Sequence, residues 1–126
     1  CTFRSAEFYL TAAEAALELN DMDNARHYLT ELMKKRYLSA IYPTYEAEIL
    51  SMTQDELREE IYNERFRELA FEGHRWFDLR RTTRQELTKT YKGETYVLQK
   101  DDSRYTLRIP ADAIEANPGL EEENRE

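Results

Sequence analysis

The stretch SAEFYLTAAEAALELNDMDNARHYLTELMKKRY, from Ser5 to Tyr37, decides the fold. In its first half Phe3, Ala6, Leu10, Ala13 and Leu17 follow 3,4,3,4 spacing, and Tyr9, Ala12, Ala16 and Leu19 widen the same apolar arc, which predicts a helix from about Arg4 to Leu19. Asn20 tolerates the left-handed conformation that ends a helix, and Asp21 and Asp23 can cap the next one. Met22, Ala25, Leu29, Leu32 and Arg36 then repeat the spacing and predict a second helix from about Met22 to Tyr37. So short a turn makes the two helices antiparallel neighbours.

The alanines of the first helix permit close approach, and the pair has the length of one tetratricopeptide-type repeat. One such unit cannot bury both its faces, so the rest of the chain or further repeats must cover it. Residues 38–51 hold Pro43 and two of the tyrosines without a sustained period, and read as a loop with one helical turn. Thr53 and Glu56 form a capping box that starts a long helix running to about Phe71. Gly73 allows a stop or bend, and Trp76 to Arg81 are helical again. Beyond Leu87 the period shortens: Thr88–Tyr91, Thr95–Gln99 and Tyr105–Ile109, separated by turns, predict a small antiparallel meander that Pro110 ends. A short helix is expected before Asn117-Pro118-Gly119, and Glu121–Glu126 is expected to be a disordered charged terminus. The fold class expected is mainly α: a tetratricopeptide-like helix pair, a long helix and a small β meander, in one domain over residues 1–126.

Composition supports this and narrows the partners. A length of 126 residues fits one domain. Leu, Ile, Val and Phe supply 25 residues, near the roughly 20% at which a charged chain approaches disorder, and nine Tyr, one Trp and twelve Ala make up the apolar surface. One Val and three Gly argue against a large sheet or a glycine-rich nucleotide site. A net charge of -8 repels phosphate backbones, so nucleic acid is excluded as a partner. No apolar run is long enough to span a bilayer and no signal peptide opens the chain, so an export address would lie outside it. Cys1 could be read as a lipid attachment site, but no polar tether follows it, and a cut in a longer protein is the expected origin of this end.

The candidate site lies in NERFRELAFEGHRWFDLRR, Asn63 to Arg81. On a helical wheel Ile61, Tyr62, Arg65, Phe66, Leu69 and, if the helix continues, Trp76 share an arc with Glu72, which turns a cation and an anion toward the core together. Unpaired charges there would be destabilising, so Arg65 and Glu72 are expected to pair with each other or with Arg75 and Asp78 in a structural ion-pair network. Glu64, Glu68 and Glu72, four residues apart, could instead hold a metal or share a proton. They lack the Glu-x-x-His pattern of carboxylate metal bundles, and Arg65, Arg67 and Arg75 are interleaved to neutralise them, so no metal, cofactor or catalytic residue is expected. His27 and His74 have no ligand or nucleophile at useful spacing and read as surface or capping residues. The loop tyrosines could stack on sugar rings, but half-buried Tyr is also the usual filler of a Leu-poor core, the reading preferred here.

The same stretch resembles the signature of SusD/RagB-type outer-membrane nutrient-binding lipoproteins, through Glu64-Arg65, Glu68-Leu69, Glu72-Gly73 with Arg75, and Asp78-Leu79 with Arg81. Ser5–Leu10 leading to Ala13-Glu14-Ala15 resembles the family's last repeat, and Tyr105–Pro118 its closing Ile-Pro and Asn-Pro segment. Ala113 stands where the family usually has Glu, and Glu122-Glu123 where it has Gln-Asn. The resemblance implies the C-terminal portion of a longer lipoprotein, anchored by a lipid at the extracellular face of the outer membrane. It also implies a non-catalytic function: capturing nutrients, oligosaccharides above all, as partner of a SusC-like TonB-dependent transporter, with ligand-binding residues that this chain does not identify. The rival expectations are a helical-repeat scaffold that binds a peptide partner and a metal hydrolase built on the carboxylates.

Overall fold

The computed structural model describes residues 4–120. These form two compact units, residues 4–74 and 75–120. The first contains α1 (Ser5–Glu18), α2 (Met22–Met33), α3 (Tyr42–Ser51) and α4 (Gln54–Glu68). Leu10, Leu17, Leu29, Met33, Ile49, Leu57 and Ile61 are its fully buried side chains, and they come from all four helices. Ala6, Ala13 and Ala25 are buried between them, and α1 packs on both α2 and α4.

The α1–α2 turn is a complete left-handed helix stop. Asn20 has φ 61°, its N–H donates to the Leu17 carbonyl at 3.0 Å, and the Asp21 N–H donates to the Ala16 carbonyl at 2.8 Å. Asp21 in turn caps α2, accepting from the Asn24 N–H at 3.1 Å. The Asn24 side chain, and then this backbone bond, hold the Asp21 carboxyl below its usual range. The Asn20 side chain also accepts from Gln54 Nε2 at 3.0 Å, tying the turn to the first turn of α4. Asn20→Ala should therefore destabilise by about 1–2 kcal/mol, while Asn20→Gly, which keeps the backbone but loses the Gln54 contact, should fall within about 1 kcal/mol of wild type. Thermal melts of the two variants check this, and equal losses would contradict it.

Residues 38–51 correct the sequence reading: most of that segment is the helix α3. Pro43 sits in the first turn, where no intrahelical N–H is needed, and Ile49 is the one fully buried position of α3. A ten-residue helix with one buried anchor shows no apolar period. α4 begins as expected, with the Thr53 N–H donating to the Glu56 carboxylate at 2.8 Å and Thr53 Oγ1 accepting from the Glu56 N–H. It ends at Glu68, three residues before the expected end at about Phe71, and Phe71 (φ 65°) and Gly73 (φ 83°) turn the chain in left-handed conformations. Phe71 is fully exposed there.

The second unit holds α5 (from His74, at the unit boundary, to Arg81), β1 (Leu87–Tyr91), β2 (Glu94–Leu98) and α6 (Ala111–Ala116). β1 and β2 are antiparallel, with Leu87 opposite Leu98 and Tyr91 opposite Glu94. Lys92 (φ 49°) and Gly93 (φ 83°) make the two-residue turn that matches strand twist. The third strand of the expected meander does not form. Ser103–Tyr105 is a 3-10 turn, capped by Asp102 accepting from the Arg104 N–H at 2.9 Å, and the described residues beyond it add no strand. Both hairpin faces are largely exposed, so no buried face templates a third strand. Tyr105 is instead fully buried, its ring stacked on Trp76 with centroids 5.1 Å apart and planes 10° off parallel, while its hydroxyl donates to the Gln85 carbonyl. The expectations for Cys1 and for Glu121–Glu126 lie outside the described residues.

Candidate functional site

The end of α4 gathers the charges of the motif. The Glu68 side chain is 7% exposed and is held by two arginines. Arg36 approaches with both Nε and Nη2 at 2.8 Å, one on each carboxylate oxygen, and Arg4 Nη2 lies 2.6 Å from Oε1. Arg4 Nη1 also donates to the Glu68 carbonyl at 3.1 Å and to the Glu72 carboxylate. The residue before α1, the turn after α2 and the end of α4 thus converge on one carboxylate. The Arg36 hydrogen bond, reinforced by the Arg36 and Arg4 charges, holds the Glu68 carboxyl below its ordinary range although burial opposes this.

One turn back, Glu64 is 4% exposed and accepts from Arg67 Nε at 2.8 Å, with Arg67 Nη2 at 2.7 Å. Arg67 also donates to Glu60, so one guanidinium bridges two carboxylates along the helix. Glu64 and Glu68, which the sequence presented as part of a rival metal cluster, are therefore arginine-bound. Among the described residues no group of three or more His, Cys, Asp or Glu is placed to hold a metal ion.

The four residues expected to form the network fall in both units. Arg65 is 8% exposed, with Nη2 3.7 Å from the Glu7 carboxylate of α1. Glu72 differs from its expected core position: its side chain is 37% exposed, because α4 stops at Glu68 and the wheel does not continue through it, and it pairs with Arg4. Arg75 and Asp78 lie on α5, and Asp78 accepts from Arg81 Nη2 at 3.0 Å. Arg4 and Arg36 are partners that the motif alone did not reveal. The available signal was Arg36 itself, a cation at the apolar position of the α2 spacing. For Arg65, whose stem is buried, Arg65→Met should be nearer neutral than Arg65→Ala, which is expected to lose about 1–3 kcal/mol. Arg65→Ala melting at the wild-type temperature would contradict a buried role.

Beside this cluster, α2, α3 and the face of α4 bound an open cleft of about 330 Å³. Met33, Ile49 and Met52 form its apolar floor, Tyr37 and Tyr45 a wall, and Glu48, Glu60 and Arg67 its polar rim. The two tyrosine rings lie 4.5 Å apart at 52°. Tyr42 packs against the core with its hydroxyl donating to Glu46 at 2.8 Å, and burial, then that carboxylate, push its phenol up to about 12. His27 is exposed beside Tyr28, and His74 begins α5.

Four helices around one core, the last of them clasped by arginines from before α1 and after α2, make the first unit, and the class is mainly α with a small β hairpin. The chain belongs to the SusD family, whose sequence pattern it matches over residues 1–125. It is similar to a SusD-like protein, P25, from Formosa agariphila, 40% identical over 77 residues that cover 61% of this chain and 14% of that relative. The chain thus corresponds to a small part of that protein's length.

Proposed function

We propose that this chain is the C-terminal part of a non-catalytic nutrient-binding protein of the bacterial outer membrane, working as partner of a SusC-like TonB-dependent transporter. Membership of the SusD family over residues 1–125 carries the reading, because proteins of that family are generally binding proteins rather than enzymes. The motif residues support it: their carboxylates are held by arginines, which suits a scaffold and leaves no free acid and base poised for chemistry at Glu64 and Glu68. No helix among the described residues is long and apolar enough to cross a membrane, and the anchoring we propose is a lipid on the full-length protein, at the extracellular face. We assign Arg65, Glu72, Arg75 and Asp78 a structural role as ion-pair formers, and residues 1–126 to one C-terminal domain of the longer protein.

The nutrient is an oligosaccharide or a comparable polar molecule, bound chiefly by residues of the longer protein outside this chain. Calorimetric titration of both the full-length protein and the 126-residue chain with a panel of plant, host and microbial glycans tests this. The expected result is micromolar binding of at least one glycan by the full-length protein, with none tighter than about millimolar for the chain alone. Glycan cleavage by either, or micromolar binding by the chain alone, would contradict the proposal.

A further inference from the structure

We propose that the cleft between α2, α3 and α4 receives an organic cation on an apolar stem, the chemistry shared by lysine and arginine side chains and by free alkylamines. This goes beyond nutrient binding by the longer protein and does not depend on it. The floor supplies the stem's environment: Met33 and Ile49 are buried, Met52 is half-buried, and two of the three are polarisable, adaptable thioethers. The wall supplies aromatic faces, since Tyr37 and Tyr45 stand 4.5 Å apart at 52° and a cation over either ring meets its negative quadrupole.

The rim decides the sign of the charge. Glu48 and Glu60 edge the cleft, and Arg67 beside them is already engaged by Glu60 and by the buried carboxylate of Glu64. The charged residues that line the cleft are thus two carboxylates against one guanidinium already engaged, and the lining is net negative. Tyr37 reports the same field: burial first, then the Glu64 charge, raise its phenol above the ordinary value, with Arg67 opposing. An anion is repelled there, and a neutral polyol gains nothing from the field. The volume, about 330 Å³, lies at the small end for ligand sites and suits one basic side chain or a short amine.

The test is a titration of the 126-residue chain, carrying 13C-methyl methionine, with n-butylammonium, its neutral isostere n-butanol, maltose, a short peptide containing one lysine, and the same peptide acetylated on that lysine. The Met33 and Met52 methyl signals should shift with butylammonium, more weakly as salt is raised, and butanol should bind at least about tenfold more weakly. Glu48→Gln, at an exposed position, and Glu60→Gln should each weaken the cation about threefold to tenfold. Tighter binding by the lysine peptide, abolished by acetylation, assigns the cleft to a protein partner's side chain, whereas tighter binding by butylammonium assigns it to a free amine. The proposal is overturned if butanol or maltose shifts the methionines as effectively as the cation. It is overturned equally if Glu48→Gln and Glu60→Gln bind the cation as wild type, or if no ligand shifts them at about 100 mM, well above the affinity of even a weak site. Failure of the full-length protein to bind glycans would leave these outcomes unchanged.

Discussion

Glu68→Ala is expected to lower the stability of the first unit by about 2–3 kcal/mol, among the largest effects of any charged position in this chain. The substitution removes the acceptor of three arginine hydrogen bonds, from Arg4 and Arg36, that join the start of α1 and the turn after α2 to the end of α4. The figure lies below that for a wholly buried pair because the two arginine side chains are 37% and 43% exposed and regain water when the carboxylate is lost. Glu68→Gln, which keeps one acceptor but no charge, should lose about half as much. The pH dependence has a definite sign. Because the folded carboxyl titrates below its ordinary value, its contribution is complete above the ordinary carboxylate range and is lost as pH falls through the lowered folded value. Wild type and Glu68→Ala should therefore differ most in denaturant midpoint near neutral pH and converge in acid. A difference that stays constant into acid would show that the charge is not what holds the clasp.

Tyr105→Ala should be more damaging still, by about 3–5 kcal/mol, because it empties a fully buried aromatic position in the second unit. It also removes the partner stacked on Trp76 and the hydroxyl that satisfies the Gln85 carbonyl. Tyr105→Phe keeps the stack but leaves that carbonyl unpaired, and should lose about 1–2 kcal/mol. Trp76 is the sole tryptophan of the chain, so its fluorescence reads the change directly: Tyr105→Ala should shift its emission to the red, and Tyr105→Phe should leave it in place. An unchanged emission in Tyr105→Ala would contradict the packing described here.

α1 and α2 were legible because their burial is periodic: Leu10, Leu17, Leu29 and Leu32 sit where helical spacing puts them, and Thr53 with Glu56 marks the start of α4 by hydrogen bonds that a sequence encodes locally. α3 was not legible, since Ile49 alone anchors it and its first turn depends on Pro43 rather than on a capping side chain. The missing third strand has the opposite cause. Alternation in Tyr105–Ile109 looked like a half-buried strand, but what orders this segment is the long-range burial of Tyr105 on Trp76. At the candidate site the motif showed that charges must be neutralised but not by whom. A wheel carried past Glu68 placed Glu72 in the core, whereas the left-handed residues Phe71 and Gly73 turn the chain there and leave Glu64 and Glu68 as buried carboxylates. Arg4 and Arg36 come from 64 and 32 residues away, a distance over which no spacing rule reports.

Whether the chain belongs to a nutrient-binding partner of an outer-membrane transporter is decided by purifying the full-length protein from native membranes in mild detergent and identifying what comes with it. The full-length protein should be found in the outer-membrane fraction and should co-purify with a large TonB-dependent barrel in a fixed ratio. Recovery in a soluble fraction, with no barrel bound before or after cross-linking, would contradict it.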